Sequence, residues 1–185
     1  PAYSIEQRRS ILDVLGAIHT PESQRALLSV ARVADLDEDL LPNVFLSLGQ
    51  APKPLPEVVG FFGAQIQGAS GTRQGWAIQG AGLLASVTQD TKAQATLVRT
   101  LESQLSAGKR EALALSALGN VAVEGSFELV GNYLSADEPT LRAEAVFALR
   151  FQPSEEASES IRQAIKDDPE PLVRKEAVRA LSHRA

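Results

Sequence analysis

The chain has 185 residues and a hydrophobic content of 44%, enough for one core or for a row of repeats sharing one. A formal charge of −5, with no basic run longer than a pair, argues against a nucleic-acid partner, because neutralising phosphates takes a basic surface. Cysteine is absent, which removes disulfides, thiol nucleophiles and thiolate metal sites together, and no segment approaches the roughly 18 apolar residues of a membrane-spanning helix.

In chain order, Ser4 and Gln7 form a capping-box pattern at the start of a first helix, whose core stripe is Ile5, Ile11, Leu12, Leu15 and Ile18. Thr20-Pro21-Glu22 restarts the chain as N-cap, first helical residue and acidic first turn, and the second helix runs to about Val33. A third helix follows the acidic stretch Asp35–Asp39 and ends at Gly49. Pro52, Pro54 and Pro56 then forbid helix interior and set an extended connector. The fourth helix covers about Glu57–Gln67. The Gly-rich Gly68–Gly75 reads as a mobile loop, and helices five (about Thr72–Val87) and six (about Lys92–Ala107) come next.

From Lys109 onward the pattern becomes regular. A seventh helix ends at Gly119-Asn120, expected to take the left-handed C-cap conformation, and Ser126 is placed to cap an eighth. Arg142-Ala-Glu-Ala-Val-Phe-Ala-Leu149 recurs 32 positions later as Arg174-Lys-Glu-Ala-Val-Arg-Ala-Leu181, each copy preceded by an acidic, Pro-containing turn. A period of this length in helical patterning is the mark of a helical solenoid. Between the copies Phe147 and Phe151 become Arg179 and His183, which reads either as the polar cap of a terminal repeat or as ordinary divergence between copies. No segment alternates at period two, so no sheet is expected.

Reactive constellations are scarce. Gly80-Ala-Gly-Leu-Leu-Ala85 imitates a dinucleotide fingerprint but falls inside an expected helix with no preceding strand, and Gly119 with Gly125 suggests a Gly loop no more specifically. His19 and His183 are far apart, Asp35–Asp39 lacks the glycine and distal glutamate of a calcium loop, and no cofactor or metal is expected. Arg142 and Arg174, each following an acidic turn, read as a ladder bonded to turn residues of their own or a neighbouring repeat. The alternative gathers Arg142, Glu144, Arg150, Arg174, Glu176 and Arg179 into a charged groove facing a protein. Phe61 and Phe62 read as buried core, with lipid contact as the alternative.

Two resemblances attach to these residues. Arg110–Leu181, with its acidic Pro turns and Ala-Val-x-Ala-Leu helices, resembles HEAT repeats. Leu12–Ser23, Pro52–Glu57, Ala117-Leu-Gly-Asn120 and Leu141–Arg150 are together similar to the helical domain of the large lipid transfer proteins, the group of vitellogenin and the microsomal triglyceride transfer protein. That resemblance implies a scaffold beside an attached β-rich lipid-binding domain, with lipid met only indirectly and an extracytoplasmic setting.

The expectation is an all-α, right-handed α-α superhelix of about eleven helices. It forms one domain over 1–185, irregular to 108 and regular from 109, within a longer chain. The leading function is a non-enzymatic protein-interaction scaffold whose concave layer, built from every second helix, meets the partner. The alternative is a stand-alone HEAT-repeat adaptor with no lipid connection. An enzymatic reading survives only as a likeness to the HEAT-like lyases that attach bilins to proteins.

Overall fold

Ser4 accepts from the Gln7 backbone while the Gln7 side chain accepts from the Ser4 backbone, and this closed capping box starts α1 (Ile5–Ile18). Thr20 caps α2 (Pro21–Ala31) through Ser23, with Pro21 where its missing N–H costs nothing. The structure, a computed structural model, describes residues 3–121 and 126–184. Among these it is all-helical, with no strand. Gly125 lies outside the described residues. The remaining α-helices are α3 (Leu41–Gly49), α4 (Pro56–Gly68), α5 (Gly71–Val87), α6 (Thr91–Ser106), α7 (Glu111–Gly119), α8 (Phe127–Gly131), α9 (Pro139–Ala148), α10 (Glu155–Asp167) and α11 (Pro171–Ser182). Short 3-10 turns precede α3 and follow α8 and α9.

The chain forms two compact units, residues 1–100 and 101–185, with the division inside α6. In the first, α1, α3 and α5 pack side by side, backed by α2 and α4. Phe45, Phe62, Leu27, Leu48, Ile66 and Ile78 fill its centre with no more than a trace of exposure. The α3–α5 contact is close because Gly80 has no side chain. A Cβ there would lie 2.7 Å from the Phe45 carbonyl oxygen and 2.6 Å from the Phe62 ring. The glycines that imitate a nucleotide fingerprint therefore lie in a helix interior, where Gly80 lets two helices approach.

Several local expectations are corrected here. Gly68–Gly75 is not a loop: only residues 69–70 separate α4 from α5. The physical reason lies in the first turn of α5. Gln74 donates to the Ile66 carbonyl at 2.8 Å, and Arg73 donates to Gln65 at 2.9 Å and to the Ala31 and Val33 carbonyls, tying down the ends of α4 and α2. Ile11 and Ile18 are not core: with Val14 they lie exposed on the side of α1 turned away from α2 and α3. The proline connector is free of helix as expected, but it bends at residues 52–53 and is extended at Leu55. Buried Gln24 anchors it, donating to the Lys53 carbonyl at 3.1 Å and accepting from Leu55 N–H at 2.8 Å.

In the second unit α7, α9 and α11 pack in a row, with α10 behind α11 and the short α8 against α9. Gly108 (φ +63°) ends α6 in a Schellman motif: Lys109 N–H bonds the Gln104 carbonyl and Gly108 N–H the Leu105 carbonyl. Asn120 does not adopt the left-handed C-cap form, having φ −77°. Gly119 is needed for approach instead, since a Cβ on it would come within 2.6 Å of the Ala148 backbone. Ser126 does not cap α8 either. It is buried, and its hydroxyl donates to Glu102 at 3.0 Å.

Candidate functional site

The repeat places Arg142 and Arg174 alike, near the start of α9 and α11, and each turns back to the loop before its helix. Arg142 donates to the Ala136 and Asp137 carbonyls at 2.8 and 3.1 Å. Arg174 donates to the Asp168 and Pro169 carbonyls, both at 2.8 Å. Arg142 also reaches the next repeat, gripping both carboxylate oxygens of Asp168 at 2.9 and 3.2 Å, with side-chain exposures of only 12% and 10%. The Arg142 guanidinium holds the Asp168 carboxyl below its ordinary pKa, and the Glu170 backbone N–H adds to the effect.

Glu144, Phe147 and Phe151 lie along α9 and the turn after it, opposite Glu176, Arg179 and His183 one repeat on. Phe147 is held between two guanidiniums, Arg150 at 4.3 Å from its centroid and Arg179 at 4.5 Å. Arg150 also covers Phe151 at 4.8 Å, and His183 meets both rings edge-on at 5.8 and 5.5 Å. The polar residues that replace the aromatics in the last repeat therefore cover the aromatics of the one before.

Arg150 is buried although charged. It donates to the Phe147 carbonyl at 2.9 Å and to Asn120 Oδ1, and burial pulls its pKa below the ordinary value while Glu144 opposes that. Arg179 is engaged with Glu176 at 2.5 Å. Glu144 is half-buried. Desolvation raises its pKa, Glu176 adds to the rise, and Arg150 and Arg179 offset part of it. Between these helices lies a depression of about 310 Å³, bordered by Ser116 of α7, Glu144 and Phe147 of α9, and Leu172, Glu176 and Arg179 of α11.

Phe61 and Phe62 belong to the first unit. Phe62 is fully enclosed and Phe61 is 6% exposed, their rings 6.1 and 5.5 Å from that of Phe45. No group of three or more His, Asp or Glu residues suited to a metal ion occurs among the described residues. No described helix is long and apolar enough to cross a membrane.

Sequence reading missed Arg184, which donates to the Leu149, Gln152 and Ser154 carbonyls and to the Ser158 hydroxyl. It also missed the hydrogen bonding of Tyr133, whose single hydroxyl proton is shared between Glu111 at 2.9 Å and the Leu105 carbonyl at 3.0 Å. Burial, then Glu111, pushes its pKa up to about 12. A lone arginine or tyrosine at a helix end carries no period or motif that would have marked either one.

Residues 96–182 match the sequence family of HEAT repeats. No curated protein matches by sequence. Among solved structures, a chain of the CpcE–CpcF complex of phycocyanin lyase from Nostoc sp. PCC7120 is similar at 16% identity. The match covers 97% of this chain and 72% of that one, with a TM-score of 0.59. An engineered protein is similar at 18% identity over 98% of this chain and 92% of that one, TM-score 0.54. A designed armadillo repeat protein is similar at 15% identity over 100% and 96%, TM-score 0.50. The fold is thus an all-α helical-repeat solenoid like those of HEAT and armadillo proteins, and the match to HEAT repeats falls on residues 96–182.

Proposed function

We propose that the chain is a protein-interaction scaffold, a HEAT-repeat adaptor that receives an extended segment of a partner along the α7–α9–α11 face of its second unit. The observation that carries this reading is the depression on that face, walled by Phe147 and Leu172 and edged by Glu144, Glu176 and Arg179, with Phe151 exposed beside it. Rigid helices present these groups, and Arg142 and Arg174 brace the turns that fix the helix spacing. A preset face of mixed aromatic and charged groups is what segment recognition uses.

Panning a peptide-display library tests this directly. Clones that bind the protein and are lost on Phe151→Ser or Arg179→Glu support the face. Failure to recover binders, or binders indifferent to both substitutions, refutes it.

A place beside a lipid-binding β-sheet assembly rests on the motif resemblance alone, and the adaptor reading fits the HEAT match better. Lipid extraction from purified native material separates the two. A lyase activity is a second reading, supported by likeness in fold to a chain of the phycocyanin lyase complex. A chromophore-attachment assay tests it.

A further inference from the structure

The groups around the depression on the α7–α9–α11 face divide unevenly into hydrogen-bond donors and acceptors. Its two guanidiniums are engaged: Arg150 with the Phe147 carbonyl and Asn120, Arg179 with Glu176, and both with the faces of Phe147. The hydroxyl of Thr140, at the rim, bonds Glu138. Two lining groups, the Ser116 hydroxyl and the Glu144 carboxylate, have no such partner among the described residues, and of these only Glu144 is charged. Among the described residues its half-buried carboxylate accepts no hydrogen bond and lies within 4 Å of no cation, while it faces the carboxylate of Glu176. Partial desolvation and Glu176 already disfavour the charged form of this carboxylate, and a group bringing several N–H donors would favour it. The chain's formal charge of −5 favours a cationic ligand over longer range.

Resting on the scaffold reading above, we infer that Glu144, with Glu176 beside it, is the anchor for a basic side chain, arginine or lysine, of the bound segment. The guanidinium or ammonium seats in the depression between the two carboxylates, against Leu172 and the edge of Phe147, and donates to Glu144. Glu176 remains shared with Arg179. The rise in Glu144's pKa gives this contact a pH signature, because binding weakens as pH falls through that raised value and the acceptor is protonated.

An unbiased array of short immobilised peptides, probed with the wild-type protein and then with Glu144→Gln and Phe151→Ser, tests the inference. Each hit is resynthesised with its basic residues replaced by norleucine. The expected result is a hit set dependent on one basic residue. Affinity should drop about tenfold or more in Glu144→Gln, the scale of one charge-assisted hydrogen bond, with no loss of thermal stability. Glu176→Gln gives a second variant with the same expected direction. Hits that vanish with Phe151→Ser yet need no basic residue, or that tolerate both Gln substitutions, overturn the anchor and leave the scaffold reading standing. An array without hits, or hits indifferent to all three variants, overturns both.

Discussion

Gly80→Ala and Gly60→Ala form a matched pair that measures how tightly α3 and α5 are pressed together. Both glycines lie inside α-helices, so each substitution gains the same helix propensity, about 1 kcal/mol. That gain cancels in the difference, leaving only what the new methyl group meets. At Gly60 it meets nothing within 4 Å. At Gly80 it meets the Phe45 carbonyl oxygen at 2.7 Å and the Phe62 ring at 2.6 Å, and neither yields easily, since one is backbone and the other a fully enclosed ring. Overpacking of this kind costs about 1–3 kcal/mol, so Gly80→Ala should be less stable than Gly60→Ala by that amount. In a chain of this size it separates the melting temperatures by about 2–12 °C, at roughly 2–4 °C per kcal/mol. Thermal and urea unfolding followed by circular dichroism supply both numbers. If the two variants are stabilised equally, the close α3–α5 approach is wrong.

Phe62→Ser should destabilise the first unit by about 3–5 kcal/mol or more in urea titration, as expected for loss of a fully buried ring; a stable variant that sheds a co-purified lipid would refute the core account. Arg142→Ala should lower the melting temperature more than Arg174→Ala, because it also releases Asp168. Since the folded Asp168 pKa is depressed, its contribution is present above the ordinary value of 3.8 and fades as pH falls through the lower folded value. The Arg142→Ala penalty should shrink below that point in acid-unfolding curves. For Glu144 the sign reverses: its raised pKa means stability declines as pH rises past 4.5, so Glu144→Gln should melt higher than wild type at pH 7. Ser4→Ala should cost about 1 kcal/mol through loss of the capping box, read from the same melts.

Features written in local chemistry were legible in the sequence. The Ser4–Gln7 box, the Thr20-Pro21 start, the proline connector and the repeat of Arg142 at Arg174 all depend on neighbours within a few residues or on a period. What stayed hidden depends on partners far along the chain. Gly68–Gly75 looks loose by composition, yet Arg73 and Gln74 bond carbonyls of α2 and α4. Gly119 carries the composition of a C-cap, but Ala148 of the next repeat decides its role. Ser126 has the hydroxyl of an N-cap and spends it on Glu102. On the candidate face, the sequence read Arg142 and Arg174 as a ladder, with the six-residue charged groove as the alternative, but it did not distinguish Glu144 from the other charged residues. Only the hydrogen bonds divide them, leaving Glu144 without a donor.

The double grip of Arg142 makes the repeat of Asp168 and Arg174 a connector with two unlike ends, which the preceding repeat, with Ala136 in place of the aspartate, is not. One end offers an arginine, the other an aspartate, and Asp168 serves both at once, its carboxylate facing backward to Arg142 and its carbonyl forward to Arg174. A joint of that kind is directional, so a copy of the repeat that carries both Asp168 and Arg174, spliced in between, would offer its own aspartate to Arg142 and its own arginine to the following Asp168. Duplication of that repeat would renew the Arg–Asp joint at its own seam, whereas duplication of the one before it would leave the new arginine facing an alanine.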